Sequence, residues 1–288
     1  MSFSAFIRDI EQNHWNIFGV EVYRDSQLLH RWGDTNDHRH NTYSVTKSVT
    51  AIAAGMARDD GLFDFDRCVL DYLPGRFVAA MPCHQRELYR QITIRRLMTM
   101  SVPGYPFRPE GDSWLTASLA YPLPEPLERR FEYSNIPAYL VGVAVTEAIG
   151  EPLDDYLNRR LFRPLGIQSP VLAHCPDGYF YGASGMELTV HDLSQIGLLL
   201  QNGGVYGNQR ILSEAFVREA TSVQQMNREG GYGYFIWKYR DGFSFNGKWK
   251  QKCYILPKTG LVITFLGHIE EECAGLRASM ERHLLDSE

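Results

Sequence analysis

The sequence predicts an α+β protein: an antiparallel β-sheet flanked by helices, with a mainly helical region inserted into it. Three observations carry this. Strand-like runs lie near the start (Ile17 to Tyr23, Gln27 to Trp32) and near the end (Gly242 to Phe245, Cys253 to Leu256, Leu261 to Leu266). The stretch from Leu62 to Arg130 shows no strand pairs and breaks into short helical pieces at Pro74, Pro82, Pro103, Pro106, Pro109, Pro122, Pro124 and Pro126. The length, 288 residues, suits one large domain or one domain with a second inserted into it. The expected division is residues 1–60 and 180–288 for the sheet-bearing part and 61–179 for the helical insertion.

In chain order, Phe3, Phe6, Ile7 and Ile10 repeat with a helical period. Ile17 to Tyr23 and Gln27 to Trp32 flank the polar turn Arg24-Asp25-Ser26 and read as a hairpin. Gly33 to Asn41 reads as a solvated loop, in which His38 and His40 have metal-like spacing but no carboxylate or cysteine completing a set. A small-residue helix follows and ends at Asp60-Gly61. In the insertion, Ile92 to Met100 and Ser113 to Ala120 read as helices. Ile136 to Ile149 is a long apolar helix with Pro137 in its first turn and Gly150 as its stop. Leu153 to Phe162 is another. Thr189-Val190-His191-Asp192 has the form of a capping box opening the helix Leu193 to Gln201. Leu212 to Ala220 is helical, Tyr234 to Tyr239 starts a further set of strands, and Glu270 to Leu285 is an amphipathic terminal helix.

Composition narrows the function. Apolar residues make up 44% and charged residues 22%, with a net charge of −5, so there is no basic field for nucleic acid. Five cysteines without a CxxC pair suggest neither a disulfide framework nor a zinc site. No basic-then-apolar leader and no run near the ~20 residues of a membrane span is present, so the expectation is a cytoplasmic protein without a membrane partner. The oligomeric state is not legible.

The segment Thr42-Tyr43-Ser44-Val45-Thr46-Lys47 carries the chemistry. Ser44 and Lys47, three residues apart, share one face of a helical turn. A serine hydroxyl needs a neighbouring base to become a nucleophile, and a lysine amine is one when burial lowers its pKa. The helix start also points N–H groups at a nascent anion. The bland alternative is a helix surface, but Lys47 is the one charge between Ser44 and Ala57, among Val45, Val49, Ile52 and Ala53.

Further motifs complete a resemblance: Phe131-Glu132-Tyr133-Ser134-Asn135, Arg163-Pro164-Leu165-Gly166-Ile167, Gly185 to Leu193, and Gln201-Asn202-Gly203-Gly204-Val205-Tyr206. Over nearly its whole length the chain resembles the serine β-lactamase/penicillin-binding protein superfamily, in particular its class C β-lactamase/esterase-like branch. Tyr-x-Asn also occurs at Tyr156 and Tyr206, but only Tyr133 stands at a loop-to-helix junction with family-like flanks. A literal Lys258-Thr259-Gly260 falls in the turn between the last two strands and reads as a decoy. The third motif is expected on a strand running from Asn246 to Tyr254. Lys248 takes its first position, and Trp249 and Lys250 depart from the usual residues.

The resemblance implies a β-lactamase/transpeptidase-like fold and acyl transfer without metal or organic cofactor. Ser44 attacks a carbonyl and Lys47, with Tyr133, takes and relays its proton. The N–H groups of Ser44 and roughly Gln251 hold the oxyanion, typically worth ~3 kcal/mol per donor. Asn135 orients Lys47 and the substrate. Lys248 grips a carboxylate or phosphate, or lowers the pKa of Tyr133. The bland readings are a capping Asn135, a core Tyr133 and edge-strand charges at Lys248 and Lys250. Tyr105, Phe107, Trp114 and Trp249 are candidate pocket aromatics. The expected activity is a serine hydrolase, an esterase or amidase of a small acyl substrate. The alternatives are an acyltransferase, a β-lactamase or D-alanyl peptidase, and a non-catalytic binding module on the same fold.

Overall fold

The computed structural model describes residues 1–286 apart from Ser169 and Glu272. The chain opens with α1 (Phe3–Gln12), then β1 (Ile17–Arg24), β2 (Gln27–Gly33), the short β3 (His40–Asn41) and α2 (Val45–Asp59). The proline-broken stretch holds α3 (Gly75–Ala80), α4 (Cys83–Tyr89), α5 (Ile94–Met98) and α6 (Trp114–Ala120). Next come α7 (Ile136–Ile149), α8 (Leu153–Leu157), β4 (Glu187–Leu188) and α9 (Val190–Gln201). The small hairpin β5 (Val205–Tyr206) and β6 (Gln209–Arg210) precedes α10 (Glu214–Thr221). The chain closes with β7 (Trp237–Tyr239), β8 (Gly242–Gly247), β9 (Gln251–Leu256), β10 (Leu261–Gly267) and α11 (Ala274–Met280).

The main sheet is antiparallel with order β2-β1-β10-β9-β8-β7, so the first hairpin inserts beside the last strand. β10 is buried along its whole length and β1 along most of it, which is why both are nearly continuous apolar runs. β2, at the edge, is mostly exposed and mixes polar residues with the exposed Leu28 and Leu29. On one face, Phe6, Ile10, Leu276 and Met280 of α1 and α11 cover Val20, Val22, Ile263 and Phe265. On the other, α9 and α2 pack on the sheet and continue into the large core around α7. The fold is thus the sheet flanked by helices that the sequence predicts.

Several boundaries shift for local reasons. α9 begins at Val190 because both arms of the Thr189/Asp192 capping box form. α10 begins at Glu214 because the Ser213 side chain caps it. The run from Tyr234 is not strand until Trp237: Phe235 is left-handed (φ 53°), its N–H going to Met98 O and its carbonyl accepting from Ser48 Oγ. α8 relaxes into a wider turn over Asn158–Phe162. In the expected terminal helix only Ala274–Met280 is α-helical, followed by a wider turn over Glu281–Leu285, and Glu272 lies outside the described residues. The loop expected over Gly33 to Asn41 is shorter, since Gly33 ends β2 and His40 and Asn41 form β3 against β4; His38 bonds Asp34 and His40 stacks on Phe18. Among the described residues no single helix is long and apolar enough to cross a membrane.

Candidate active site

Ser44 occupies the N-cap of α2, a helix buried from Val45 to Ala57. The residue before it, Tyr43, is held left-handed (φ 48°). Such a backbone costs a β-carbon-bearing residue on the order of 1–2 kcal/mol and persists where its surroundings enforce it. Here Asn41 Oδ1 accepts from Tyr43 N–H (2.8 Å), while Thr46 Oγ (2.6 Å) and Thr46 N–H (3.1 Å) both donate to Tyr43 O. Thr42 N–H donates to Met186 O, and Met186 N–H to Thr46 Oγ, so the 183–186 segment stitches the turn in place. The N–H groups of Tyr43, Val45, Thr46 and Lys47 are all taken. Among the described residues that of Ser44 alone in this turn has no protein acceptor, which leaves it for an oxyanion.

Lys47 is fully buried. Its Nζ stands 3.1 Å from Ser44 Oγ, 2.6 Å from Asn135 Oδ1 and 2.8 Å from Ala183 O. No described carboxylate pairs with it, and burial alone brings its pKa down to about 7. A neutral amine has two N–H donors and one lone pair. Asn135 and Ala183 accept the two donors, so the lone pair faces the serine hydroxyl. Asn135 stands at the N-cap of α7 but makes no side-chain cap bond; its amide donates instead to Tyr181 OH (2.9 Å). The capping reading of Asn135 therefore fails, and both ends of its side chain serve the Lys47 cluster.

The Tyr133 ring lies under Lys47 Nζ, 4.9 Å from its centroid, stacked on Trp237 and edge-on to Tyr232. Burial pushes the Tyr133 phenol well above the ordinary tyrosine range, with the hydrogen-bonding Ser44 hydroxyl acting the other way. It is a neutral phenol at physiological pH, suited to passing a proton and not to holding a phenolate. The role of lowering that pKa, which the resemblance implied for Lys248, is therefore not what the structure shows. Lys248 Nζ lies over the Trp249 ring (4.2 Å).

The third motif also folds differently from expectation. Asn246 to Tyr254 is not one strand: β8 and β9 form a hairpin, Gly247 opposite Gln251, around a tight helical turn at Lys248–Lys250. Trp249 (φ 59°) and Lys250 (φ 74°) are both left-handed. Trp249 meets Tyr43 edge-on (5.0 Å), which brings the turn against the nucleophile segment. Gly247 is the glycine that close approach requires, since a Cβ there would stand 2.2 Å from Thr42 O. Gln251 does not face a ligand with its side chain. Buried, it donates to Gly267 O (2.6 Å) and Lys248 O (3.2 Å), bracing the turn against the end of β10. Lys258-Thr259-Gly260 is the β9–β10 turn, with Gly260 left-handed and Lys258 exposed near Asp241.

A cleft of about 800 Å³ opens beside Tyr133, walled by Arg129, Arg130, Met226 and Trp237. A smaller one of about 440 Å³ lies beyond Ile136, walled by Phe107 and Tyr121. Of the candidate aromatics, Tyr105 is core, its hydroxyl on Tyr89; Trp114 packs on Tyr139 and Tyr181; Phe107 is exposed. Ala183 O, Tyr181, Trp237, Asn41 and Gly247 escaped the sequence reading. Backbone carbonyls leave no sequence signal, Tyr181 and Trp237 come from distant segments, and Asn41 and Gly247, though near the motifs in sequence, act through a turn and a close approach that only the fold reveals.

Fold and Ser-Lys-Tyr cluster together define a β-lactamase/penicillin-binding type of hydrolase scaffold. The chain belongs to the beta-lactamase family, whose sequence model matches residues 7–279. It is 24% identical over 277 residues to a 6-aminohexanoate-dimer hydrolase of Paenarthrobacter ureafaciens, covering 85% of this chain and 71% of that one. Its fold matches a β-lactamase/D-alanine carboxypeptidase from Pseudomonas syringae (TM-score 0.77, 15% identity, 99% and 98% of the two chains). It also matches a D-stereospecific amidohydrolase from Streptomyces sp. (TM-score 0.74, 18% identity, all of both chains).

Proposed function

We propose that the chain is a serine hydrolase that works through an acyl-enzyme on Ser44, cleaving an ester or amide of a small acyl substrate. The observation that carries this is the Lys47 amine: buried, with its pKa lowered to about 7 so that the neutral form is accessible, its Nζ 3.1 Å from Ser44 Oγ and within hydrogen-bond reach of Asn135 Oδ1 and Ala183 O. In the first step Ser44 Oγ bonds to the carbonyl carbon, its proton passes to Lys47, and the carbonyl oxygen becomes an oxyanion on the Ser44 N–H. In the second the C–O or C–N bond breaks and the leaving group takes the proton from Lys47 through Tyr133. Water then repeats the sequence on the acyl-enzyme. The names of the similar proteins, an amidohydrolase and a dimer hydrolase among them, support hydrolysis as the outcome. Lys248 and Trp249 would border the bound substrate at the turn, with Gln251 as the brace that holds them.

The test is intact mass after incubation with an activated ester and, separately, a fluorophosphonate. One adduct per chain in the wild type and none in Ser44→Ala is expected. Absence of an adduct with either reagent in folded protein would remove the enzyme reading and favour a binding module.

A further inference from the structure

A second cavity, of about 810 Å³, lies on the α1–α11 face of the sheet, between β8, β9, α11 and the 228–230 segment. β9 aims Lys252 into it. Cys253 points the other way, into α9 at Gly197, and Tyr254 packs in the α11 layer, so strand alternation puts Lys252 on the cavity side.

The charge there opposes that of the whole chain, which has 34 acidic and 29 basic residues. Arg240 and Arg277 line the cavity but are neutralised by Glu281 and Asp286. The other cations on its wall are Arg228, Lys238, Lys250 and Lys252. Among the described residues none of these four forms an ion pair. Glu229 is the one remaining carboxylate on the wall, so four charges less one leave three in excess. Burial lowers the Lys252 pKa to about 8; Glu229 opposes the shift, and Lys250 and Arg277 add to it. Lys238, Lys250 and Lys252 are partly buried, and crowding partly desolvated ammonium groups without a counter-ion is costly, whereas cations that merely keep a protein soluble stay solvated and apart. Directly across the ladder from Lys252, the buried Oδ1 of Asn246 has no hydrogen-bond partner. Rotated by half a turn, the same amide offers two N–H donors at that place.

The geometry points to a binding site for a small multiply charged anion in this cavity, held by Lys252, Lys250, Arg228 and Asn246. Three uncompensated charges in a space of ligand size call for more than a monoanion. The proposal does not rest on the acyl-enzyme reading, although Arg228 and Glu229 also line the cleft beside Tyr133.

The experiment is calorimetric titration of the full chain with pyrophosphate and, separately, citrate, at low ionic strength. Saturable one-to-one binding of at least one probe is expected. Lys252→Met and Arg228→Gln should each weaken it about tenfold, the share of one charge-assisted hydrogen bond. Tighter pyrophosphate binding would make the ligand phosphate-bearing, and tighter citrate binding a polycarboxylate. Lys252→Met should leave Ser44 labelling unchanged. Arg228 is exposed, so its variant keeps the test alive if Lys252→Met misfolds. No saturable binding of either probe, or affinity unaltered by both substitutions, would overturn the proposal.

Discussion

Lys47 is fully buried and Lys252 partly so, and burial lowers the basicity of each, to about 7 and about 8. What surrounds them differs. Lys47 sits in the first turn of α2, with two neutral acceptors, an aromatic face and a hydroxyl, and no ion partner. Lys252 sits on a strand that opens on a cavity, among other cations, with Glu229 pulling its pKa back up. The first environment fixes the direction of a lone pair. The second leaves positive charge waiting for a counter-ion. A depressed lysine pKa alone does not mark a base; the acceptors around the nitrogen decide its use.

The sharpest way to break that comparison is to remove Lys47. In Lys47→Met, acylation of Ser44 by an activated ester should fall about 10²–10⁴-fold, the usual contribution of a positioned general base. Labelling at near wild-type rate would mean that the hydroxyl is activated by something else. In the wild type the same rate, followed by stopped-flow or mass, should climb with pH through about 7 as Lys47 loses its proton. The curve should be unmoved by Lys252→Met. A midpoint near the free-lysine value would remove the neutral amine.

Stability offers a second handle. Folded Lys47 titrates near 7 and an unfolded lysine near 10.5. Between these values the unfolded chain holds more protons, so stability rises with pH across that window. Relative to Lys47→Met, the wild type should gain about 2–3 kcal/mol between pH 7 and pH 9, read from urea unfolding. A flat difference would contradict the lowered pKa. Asn135→Ala, which frees one of the two N–H donors and lets the amine turn, should slow acylation about 10–100-fold through misplacement, with little change in protein mass or fold by circular dichroism. The smallest effect is expected at the hairpin turn. Lys250→Gly replaces a left-handed side-chain-bearing residue, and should raise stability by about 0.5–1 kcal/mol in thermal or urea unfolding. A loss of stability would show that the Lys250 side chain contributes more than its backbone strain costs.

How much of this was legible varied along the chain. Helix α7 was readable to its ends, since Pro137 suits the first turn and Gly150 takes the left-handed cap (φ 71°). The Ser44–Lys47 pair was readable because a helical turn is a local object: three residues of spacing bring the two groups together whatever else the chain does. The third motif was not. Lys248-Trp249-Lys250 follows a strand and precedes a strand, and sequence alternation alone ran them together. The break comes from Gln251, whose side chain reaches Gly267 on β10, and from Gly247 lying against Thr42. Neither contact has a sequence signature.

By itself, then, the sequence determined the α+β layering, the nucleophile and base candidates, and the loop-to-helix junction at Tyr133, because periodicity, capping and short spacings are set by neighbours along the chain. Tertiary structure decided the state of those groups. Lys47 has a pKa lowered to about 7 because α2 is buried, and the direction of its amine is set by Ala183 O, 136 residues away, which accepts one of its N–H groups. Lys252 and the cations around it converge because strand pairing, α11 and the 228–230 segment meet there. Desolvation and convergence are properties of packing, and only the folded chain has them.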